Sequence, residues 1–430
     1  MSRLLFAAAP APGHVNPVLA AAEALHQKGY DIIFHTGELF RESVEAAGLR
    51  FIPFPKEADF DYRDLFASEP SLKDLPDTEV RPILFARLIG TRLQFQYKTL
   101  RHILETEKVD AILTDAFYMG TFPLMLRDEP RPPVLSCGVF APIWLDPGAS
   151  MTSGFSKAPG WRERNIEENQ KLANKRTGIF WKHVNEALDK TGVSIPGGFH
   201  DNHIYKLPDV FLQFGAESFE FPLVEPKGNI VYVGPVLPPK KAGAHAKEWL
   251  NKRDRSRPLI LVTQGTIANR NLGQLLQPTI EGLANEDVDV LVTGGGASVS
   301  NLPTRANAHI ESYVDYNDVM QQTAVFVTNG GYNGVQQALS HGVPLIIAGT
   351  TEDKPRVGHR VEYSGVGIDL KTATPTKEQV RDAVKAILTN ATYRERAQSL
   401  QTELSQMNSV ELIANQIDAA ILSSRQTVKS

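Results

Sequence analysis

A histidine that could accept a proton stands near the start of the chain. His14 lies in a turn rich in proline and glycine, between a predicted strand, Leu4–Ala9, and the first predicted helix. The dipole of that helix disfavours an imidazolium at its N-terminus, so the ring stays neutral and basic near pH 7. The position indicates a general base, although a histidine that only caps the helix or binds a loop would give the same pattern.

An aspartate occupies a similar position at the end of another predicted strand. Asp115 follows the apolar run Ala111–Thr114. A carboxylate at the edge of a sheet can accept a ring N–H of a histidine and stabilise the imidazolium that forms during catalysis. Aspartate is also a common helix N-cap, and the residues by themselves slightly favour that structural role.

A pair of glycines follows a predicted buried strand in the second half of the chain. In the segment Thr328–Gln337, Gly330 and Gly331 separate the strand from a predicted helix. Glycine lets a ligand approach the backbone, and the N–H groups at a helix start bind anions such as a diphosphate. The spacing matches neither the G-x-G-x-x-G fingerprint nor the G-x-x-x-x-G-K-[ST] phosphate loop, and a plain tight turn remains an alternative.

The sequence gives little support for a metal, a disulfide or a nucleic acid. Cys137 is the only cysteine, and the eleven histidines include no H-x-x-x-H pair. The pair Asp59-Phe60-Asp61 is assigned to an exposed loop. A net charge of −4 with scattered Lys and Arg argues against binding a phosphate backbone. No apolar run reaches the roughly 20 residues of a membrane span. We therefore expect a cytoplasmic protein without a metal or other cofactor.

Short apolar runs alternate with longer amphipathic segments along the whole chain. Near-continuous apolar runs predict strands that are buried on both faces, as in a parallel sheet covered by helices. The predicted strands are Leu4–Ala9, Asp31–His35, Phe51–Phe54, Ala111–Thr114, Val134–Cys137, Val210–Gln213, Ile230–Val233, Leu259–Thr263, Val288–Thr293, His309–Ser312, Val325–Thr328, Leu345–Ala348 and Gly367–Leu370.

A stretch rich in proline, glycine and lysine divides the 430 residues into two halves. A chain of this length forms more than one core, and we expect two doubly wound α/β domains with a ligand-binding cleft between them. The predicted boundaries are 1–233 for an N-terminal domain, 234–256 for a linker, 257–405 for a C-terminal domain and 406–430 for a final helix that returns to the N-terminal domain and ends in a frayed tail. A further irregular stretch, Asp146–Arg164, is predicted to be a surface loop.

These features together resemble the family-1 glycosyltransferases, which include plant UDP-glycosyltransferases and bacterial macrolide and flavonoid glycosyltransferases. The resemblance is clearest over Gly13–Pro17 and Tyr313–Gly367, and the order of the strands between them agrees. It implies the α/β GT-B fold, in which two Rossmann-like, doubly wound parallel-sheet domains face each other across a cleft. The N-terminal domain would bind the acceptor, and the C-terminal domain would bind the nucleotide sugar.

The resemblance also implies roles for individual residues. His14 would be the catalytic base, and Asp115 would orient it. Tyr313 would stack on the uracil, and the backbone of Val314 would pair with the edge of the base. The other positions implied to bind the donor are Thr266 near the phosphates, Asn329, Gly331, Asn333 and Gly334 at the diphosphate, Gln337 at the ribose, and Asp353 and Lys354 at the sugar.

Four positions depart from the family's pattern. Asn329 replaces a histidine, Asp315 a proline, Gln337 a glutamate and Lys354 a glutamine. The neutral amide of Asn329 removes a positive donor beside the departing diphosphate, so the phosphate site would depend more on helix N–H groups and on Asn333. An amine at the sugar pocket can change which sugar is accepted.

The implied function is an inverting transfer of a sugar, glucose as the first expectation, from a UDP-sugar to a hydroxyl of a small acceptor. Apolar side chains, Trp144 among them, are frequent in Phe60–Phe66, Ile83–Phe95, Phe117–Met125 and Phe140–Phe155. They predict a flat apolar acceptor such as a phenol, flavonoid or polyketide, although many can equally be core. A nucleotide-sugar 2-epimerase and a non-catalytic nucleotide-sugar-binding protein stay open as alternatives, and the glycine spacing disfavours a nicotinamide dehydrogenase.

Overall fold

The chain forms two compact units, each with a parallel sheet. The computed structural model describes residues 2–73, 77–142, 178–200, 202–221, 229–238, 246–266 and 271–427. Unit 1 consists of Met1–Phe214, Leu223–Val236 and Asn408–Ser430, and unit 2 consists of Gly215–Pro222 and Leu237–Met407. The chain therefore leaves unit 1 after Phe214, contributes the segment Gly215–Pro222 to unit 2 and then returns to unit 1. We call this segment the excursion.

Unit 1 is built on a seven-stranded sheet. Its strands are β1 (Arg3–Ala7), β2 (Asp31–Thr36), β3 (Arg50–Pro53), β4 (Ala111–Asp115), β5 (Val134–Gly138), β6 (Val210–Gln213) and β7 (Ile230–Tyr232). Their order is β3-β2-β1-β4-β5-β6-β7, and every pairing is parallel. The order changes direction between β1 and β4, which makes the C-terminal ends of these two strands the topological switch point.

The helices of the N-terminal part cover this sheet. They are α1 (Pro12–Gln27), α2 (Arg41–Ala46), α3 (Leu65–Ser68), α4 (Asp77–Phe85), α5 (Leu93–Thr106), α6 (Phe122–Met125), α7 (residues 178–189) and α8 (His203–Lys206). A π-helical turn, Ala86–Thr91, joins α4 to α5. Helix α1 begins with Pro12, whose fixed φ suits a first helical position, and ends just before Gly29, which has a φ of 101°.

Unit 2 repeats this design with six strands. They are β8 (Leu259–Thr263), β9 (Asp289–Thr293), β10 (Ala308–Glu311), β11 (Thr323–Thr328), β12 (Leu345–Ile347) and β13 (Gly367–Asp369). Their order is β10-β9-β8-β11-β12-β13, again with only parallel pairings. The switch point lies between β8 and β11. The helices are α9 (Lys247–Lys252), α10 (Leu276–Gly282), α11 (Tyr316–Val319), α12 (Tyr332–Leu339), α13 (Lys354–Ser364), α14 (Lys377–Thr389) and α15 (Ala391–Gln406).

The last helix, α16 (Ser409–Thr427), belongs to unit 1. Its apolar face contains Ile413, Ile417 and Ile421, which are buried in the core that also contains residues of α1. Short 3₁₀ turns complete the described elements at Glu38–Phe40, Pro70–Leu72, Met119–Thr121, Glu217–Phe219, Leu272–Gln274 and Met320–Gln322.

The strands agree with the sequence prediction, whereas parts of two predicted boundaries do not. Each of the thirteen strands in the described ranges lies within two residues of a predicted one. The excursion Gly215–Pro222 is in unit 2, although the predicted N-terminal domain included it, because Glu220 pairs with Arg360. Part of the predicted linker is folded as α9, because Leu250 is buried.

Some predicted features lie outside the described residues. These are the surface loop Asp146–Arg164, the acceptor residue Trp144 and the central part of the linker, residues 239–245. Among the described helices, none is long and apolar enough to cross a membrane.

Candidate active site

His14 and Asp115 meet at the switch point of the unit 1 sheet. His14 is the third residue of α1, which follows β1, and Asp115 is the last residue of β4. Strands β1 and β4 pair directly, with Ala7 opposite Thr114. In doubly wound sheets, ligands bind beside the C-terminal ends of such a strand pair. The fold therefore brings together two residues that are 101 positions apart in sequence.

The two side chains form a hydrogen-bonded pair. His14 Nδ1 lies 2.8 Å from Asp115 Oδ1. The aspartate side chain has no exposed surface, whereas the histidine side chain is 23% exposed. An ionised carboxylate only accepts hydrogen bonds, so this contact assigns the ring proton to Nδ1 and the lone pair of the neutral ring to Nε2. General-base catalysis by a histidine requires this arrangement of ring proton and lone pair.

Backbone groups hold the Asp115 carboxylate in place. The N–H of Ala9 donates to Oδ2 at 2.6 Å, and the N–H of Phe117 donates to Oδ1 at 2.9 Å. Burying a carboxylate is costly unless hydrogen bonds replace its hydration, and here three donors do so. The residues that follow Asp115 form a turn rather than a helix, so its role is to bind His14 and not to cap a helix.

A group of aromatic rings begins beside His14. The Phe117 ring lies edge-on to the His14 ring, with centroids 5.3 Å apart. Phe140 stacks on Phe117 at 4.6 Å, and Phe85 meets it edge-on at 5.2 Å. Phe117 and Phe140 are buried, whereas Phe85 is 40% exposed. These rings come from three of the four segments predicted to bind the acceptor.

In unit 2, the predicted glycine turn lies beside the equivalent switch point. Gly331 is the N-cap residue of α12, which begins directly after β11 and the turn. A Cβ atom placed on Gly331 would meet no described atom within 4 Å, so a ligand can approach the backbone there. Asn333 and Gly334 lie in the first turn of α12 and are half-buried, while Gln337 is buried one turn further on.

Asn329 turns its amide into the protein. It is buried, and its Nδ2 donates a hydrogen bond to the carbonyl of Gln264, which follows β8. The contact joins the ends of the two strands that border the switch point. Thr266 follows in the same loop and is exposed, next to Gly265 with a φ of 77°.

The residues predicted to bind the base lie after β10. Tyr313 is 45% exposed, and the neighbouring Val314 is buried. Burial and the nearby charge of Asp315 raise the pKa of the Tyr313 hydroxyl. Asp315 itself is the N-cap of α11, because its carboxylate accepts the N–H of Asn317 at 2.9 Å.

The residues predicted to contact the sugar lie where α13 begins. Asp353 is the N-cap residue of α13, and Lys354 is its first residue. Lys354 is buried, and its Nζ pairs with the carboxylate of Glu352, a residue with a left-handed φ of 57°. A side chain on Gly349 would collide with both the Asn329 carbonyl and the Lys354 side chain. The sugar-side and phosphate-side loops are therefore in close contact.

All ten predicted donor residues belong to unit 2, in the loops that follow β8, β10, β11 and β12 or in helices α12 and α13, which begin after the last two of these loops. Because these strands are parallel, the loops share one edge of the sheet. Direct contacts join the loops after β8, β11 and β12. Tyr313 and Val314 lie further along that edge, after the outermost strand, β10.

Comparison with known proteins identifies the family. Residues 277–419 match the model of the Erythromycin biosynthesis protein CIII-like, C-terminal domain. The chain is 30% identical over 434 residues to UDP-glycosyltransferase 2 of Phaeomoniella chlamydospora, covering 96% of this chain and 95% of that protein. It is 31% identical to UDP-glucosyltransferase B1 of Starmerella bombicola, covering 95% and 96%.

The chain belongs to the family-1 glycosyltransferases. It is a glycosyltransferase. The fold agrees, since the crystal structure of the glycotransferase of kitacinnamycin superposes with a TM-score of 0.73 at 20% identity and covers 98% of this chain and 99% of that one. The likeness shows the GT-B fold.

Three departures of this glycosyltransferase from the family's pattern have visible structural contacts. Asn329, in the histidine position, binds the Gln264 carbonyl. Asp315, in the proline position, caps α11. Lys354 is an amine in the position of an amide, and its charge is balanced by Glu352. Each of these side chains is engaged by neighbouring residues of this glycosyltransferase.

Sequence reasoning missed a buried polar cluster of the glycosyltransferase in unit 2. Glu220 binds Arg360 and also the hydroxyl of Tyr332, the first residue of α12. A signal was present, because Glu220 is a single charge inside the apolar run Phe219–Pro222. A charge in such a run is buried and paired or else exposed, and the sequence does not distinguish the two.

The described part of the chain contains no group of three or more His, Cys, Asp or Glu side chains arranged to hold a metal ion. The Asp59-Phe60-Asp61 pair lies in a loop, as predicted, but Asp59 is half-buried rather than exposed. Its carboxylate accepts the N–H groups of Glu38 at 3.0 Å and Phe60 at 2.8 Å, and burial raises its pKa. The pair is thus part of the loop's own structure.

Proposed function

We propose that this glycosyltransferase moves a sugar from a UDP-sugar to a hydroxyl of a small apolar acceptor, with inversion at the anomeric carbon. The observation that carries the proposal is the 2.8 Å contact between partly exposed His14 and fully buried Asp115. A histidine that is held by a buried carboxylate and partly exposed to solvent suits general-base catalysis. Glucose is the first sugar to test, because UDP-glucosyltransferases are among the relatives.

In the proposed reaction, His14 Nε2 takes the proton of the acceptor hydroxyl. The hydroxyl oxygen forms a bond to the anomeric carbon from the face opposite the nucleotide. The bond between that carbon and the diphosphate oxygen breaks, and its electron pair leaves with UDP. Asp115 stabilises the imidazolium, and general-base catalysis of this kind contributes about 10²–10⁴ in rate.

The proposed donor site uses fixed groups of unit 2 to bind the diphosphate. The N–H groups at the start of α12, beside the open backbone of Gly331, would stabilise the charge that develops on departing UDP. Tyr313, three strand spacings or about 14 Å along the sheet edge, would bind the base. On this proposal, the reaction needs no metal ion.

The proposed acceptor is a flat apolar molecule such as a phenol, flavonoid or polyketide. The Phe117 ring adjoins His14, Phe85 packs against Phe117, and the two rings would offer such an acceptor an apolar surface. Aromatic rings favour stacked or edge-on contacts with other rings, each contributing about 0.5–1.5 kcal/mol beyond the buried area.

The experiment measures UDP release from UDP-glucose, with and without a panel of phenolic acceptors, for the wild type, H14A and H26A. His26 is the matched control, because it is exposed near the end of the same helix and contacts only the Tyr30 carbonyl among the described bonds. We expect H14A to lower kcat by about 10²–10⁴-fold while UDP binding is retained, and H26A to behave as the wild type. Addition of EDTA should leave the rate unchanged.

The alternatives give different results in the same assay. Conversion of UDP-glucose to an epimer without acceptor would indicate an epimerase, and tight UDP binding without turnover on any acceptor would indicate a binding protein. Proton NMR of the product gives the anomeric configuration, and retention would contradict a single displacement. An H14A variant that keeps most of its activity would contradict the proposal that His14 is the general base.

A further inference from the structure

Glu220 is a buried carboxylate in the excursion of the chain into unit 2. It follows the 3₁₀ turn Glu217–Phe219, and its side chain is only 1% exposed. In sequence it lies between strands β6 and β7 of unit 1, but its contacts are with α12 and α13 of unit 2. The excursion therefore brings one charged group to two helices of the proposed donor site.

The two oxygens of Glu220 bind two different helices. Oε2 accepts a charge-assisted hydrogen bond from Nε of Arg360, the seventh residue of α13. Oε1 accepts the hydroxyl of Tyr332, the first residue of α12, at 2.9 Å. The carboxylate thus fixes the start of α12 relative to the middle of α13, with both contacts buried.

Apolar groups and backbone enclose this cluster. The Arg360 guanidinium lies over the Phe221 ring, 4.5 Å from its centroid, and its side chain is only 1% exposed. Tyr332 is buried, and any side chain on Gly215 would collide with its hydroxyl. The excursion therefore wraps around Tyr332 on one side and covers Arg360 on the other.

Burying an ion pair of this kind carries a large desolvation cost. Removing two charges from water costs about as much as their attraction returns, so an apolar replacement of similar volume is often equally stable. What the pair supplies is a defined geometry, because a carboxylate with two directional partners allows one arrangement of the helices. Helices α12 and α13 begin with the residues proposed to bind the diphosphate and the sugar.

We propose that Glu220 is a positioning residue of the donor site. It holds the first turn of α12, with Asn333 and Gly334, at the correct distance from Asp353 and Lys354 at the start of α13. This inference rests on the proposed function, because it takes those residues as the donor site. Loosening the cluster weakens the binding of UDP and UDP-glucose but not of the acceptor.

The test uses single substitutions that loosen the cluster by different amounts. Y332F removes one hydrogen bond and keeps the ion pair. R360K keeps the positive charge but replaces the planar guanidinium by an ammonium group, and R360M removes the charge. Calorimetry gives the Kd for UDP, and initial rates give KM for UDP-glucose and for a phenolic acceptor. We expect Y332F to raise the UDP Kd and the donor KM about threefold to tenfold, with the acceptor KM within about twofold of the wild type.

The series also separates positioning from general loss of stability. The control D289N disturbs another ion pair of unit 2, between Asp289 and Arg253, at the N-terminal end of β9 and away from both helices. We expect D289N to lower the melting temperature without changing the UDP Kd. R360K should bind UDP more tightly than R360M, as a conservative rescue.

Three results would overturn the positioning role. One is a Y332F or R360M variant that binds UDP as the wild type does. Another is a D289N variant that loses UDP affinity to the same extent at equal loss of melting temperature. A wild type that binds UDP but shows no acceptor-dependent release contradicts the transferase proposal alone, since the calorimetric comparison still decides the role of Glu220. A wild type that binds no UDP overturns the positioning role.

Discussion

His14 and His35 lie at the same edge of the unit 1 sheet in different surroundings. His14 is the third residue of α1, which follows β1, and His35 is the fifth residue of the neighbouring strand β2. The His14 side chain is 23% exposed and binds a carboxylate, whereas His35 is fully buried and its Nδ1 contacts the Ile52 carbonyl at 3.0 Å. The rings of Phe54 and Tyr118 pack edge-on against His35.

The difference bears on which of the two histidines is suited to the proposed role of a base. Burial without a carboxylate lowers the pKa of His35 to about 4, so this ring is neutral but has no route to a substrate. His14 has a carboxylate to stabilise its protonated form and is partly exposed. The two histidines share a residue type and an edge of the sheet, whereas their elements, partners and exposure differ.

The largest expected effect comes from removing the partner that distinguishes the two histidines. In D115N, an amide replaces the carboxylate, so it no longer stabilises the imidazolium of His14. We expect kcat to fall about 10²–10⁴-fold. The N–H₂ group of the new amide would also face the backbone N–H of Ala9 or of Phe117. Two donors then meet without an acceptor, so the free energy of unfolding should fall by about 1–3 kcal/mol. Rates and denaturant unfolding measure the two effects.

The double variant H14A/D115N checks that the two residues act as a unit. We expect it to be no slower than H14A, because the aspartate has nothing to act on once the histidine is absent. A double variant whose losses multiply would show that Asp115 contributes independently of His14.

The second prediction concerns stability and pH at His35. Its pKa is about 4 in the folded protein and about 6.5 in an unfolded chain. Between these values the unfolded chain binds a proton that the folded protein does not, so stability present above pH 6.5 is lost as the pH falls toward 4. The loss from this one group is about 3 kcal/mol.

The variant H35Q removes this titration and retains a donor for the Ile52 carbonyl. Its free energy of unfolding should fall less steeply than that of the wild type between pH 6.5 and 4, as measured by denaturant titrations. Its activity at pH 7.5 should be that of the wild type. If the free energy of unfolding fell equally steeply with pH in both proteins, His35 would not be the group whose protonation lowers stability in this range.

The smallest expected effect concerns the aromatic rings beside each histidine. Phe85, which is 40% exposed, adjoins the ring that covers His14, whereas Phe54 beside His35 is 5% exposed. F85A should raise the KM for a phenolic acceptor about threefold to tenfold with little change in stability. F54L should lower stability and leave the acceptor KM unchanged. If F54L raised the acceptor KM and F85A did not, the acceptor would bind near His35 rather than near His14.

Much of the fold follows from local sequence patterns. Runs such as Leu259–Thr263 and Val210–Gln213 coincide with β8 and β6, because buried parallel strands are continuous apolar segments between turns. The placement of His14 and Asp115 at one edge of the sheet was also predictable, since parallel strands end at a common edge. These features depend on a few neighbouring residues, which a single sequence displays directly.

The features that sequence reasoning missed depend on contacts between distant residues. Glu220 and Arg360 are 140 positions apart, and nothing near Glu220 shows that it pairs with α13. The amide of Asn329 meets a carbonyl 65 positions away, so its role as a link between two strand ends was not apparent. In both cases the residue type was visible, but its partner was defined only by the tertiary structure.

The excursion Gly215–Pro222 has a consequence for recombination between related enzymes. A chimera joined at residue 233, where the composition suggests a boundary, would take Glu220 from one parent and Arg360 from the other. Unless both parents carry the pair, one charge is left buried without its counterion, which costs about 3–5 kcal/mol. The segments that have to be exchanged together in this glycosyltransferase are therefore not continuous in sequence. A functional exchange of the C-terminal half has to include the eight residues Gly215–Pro222.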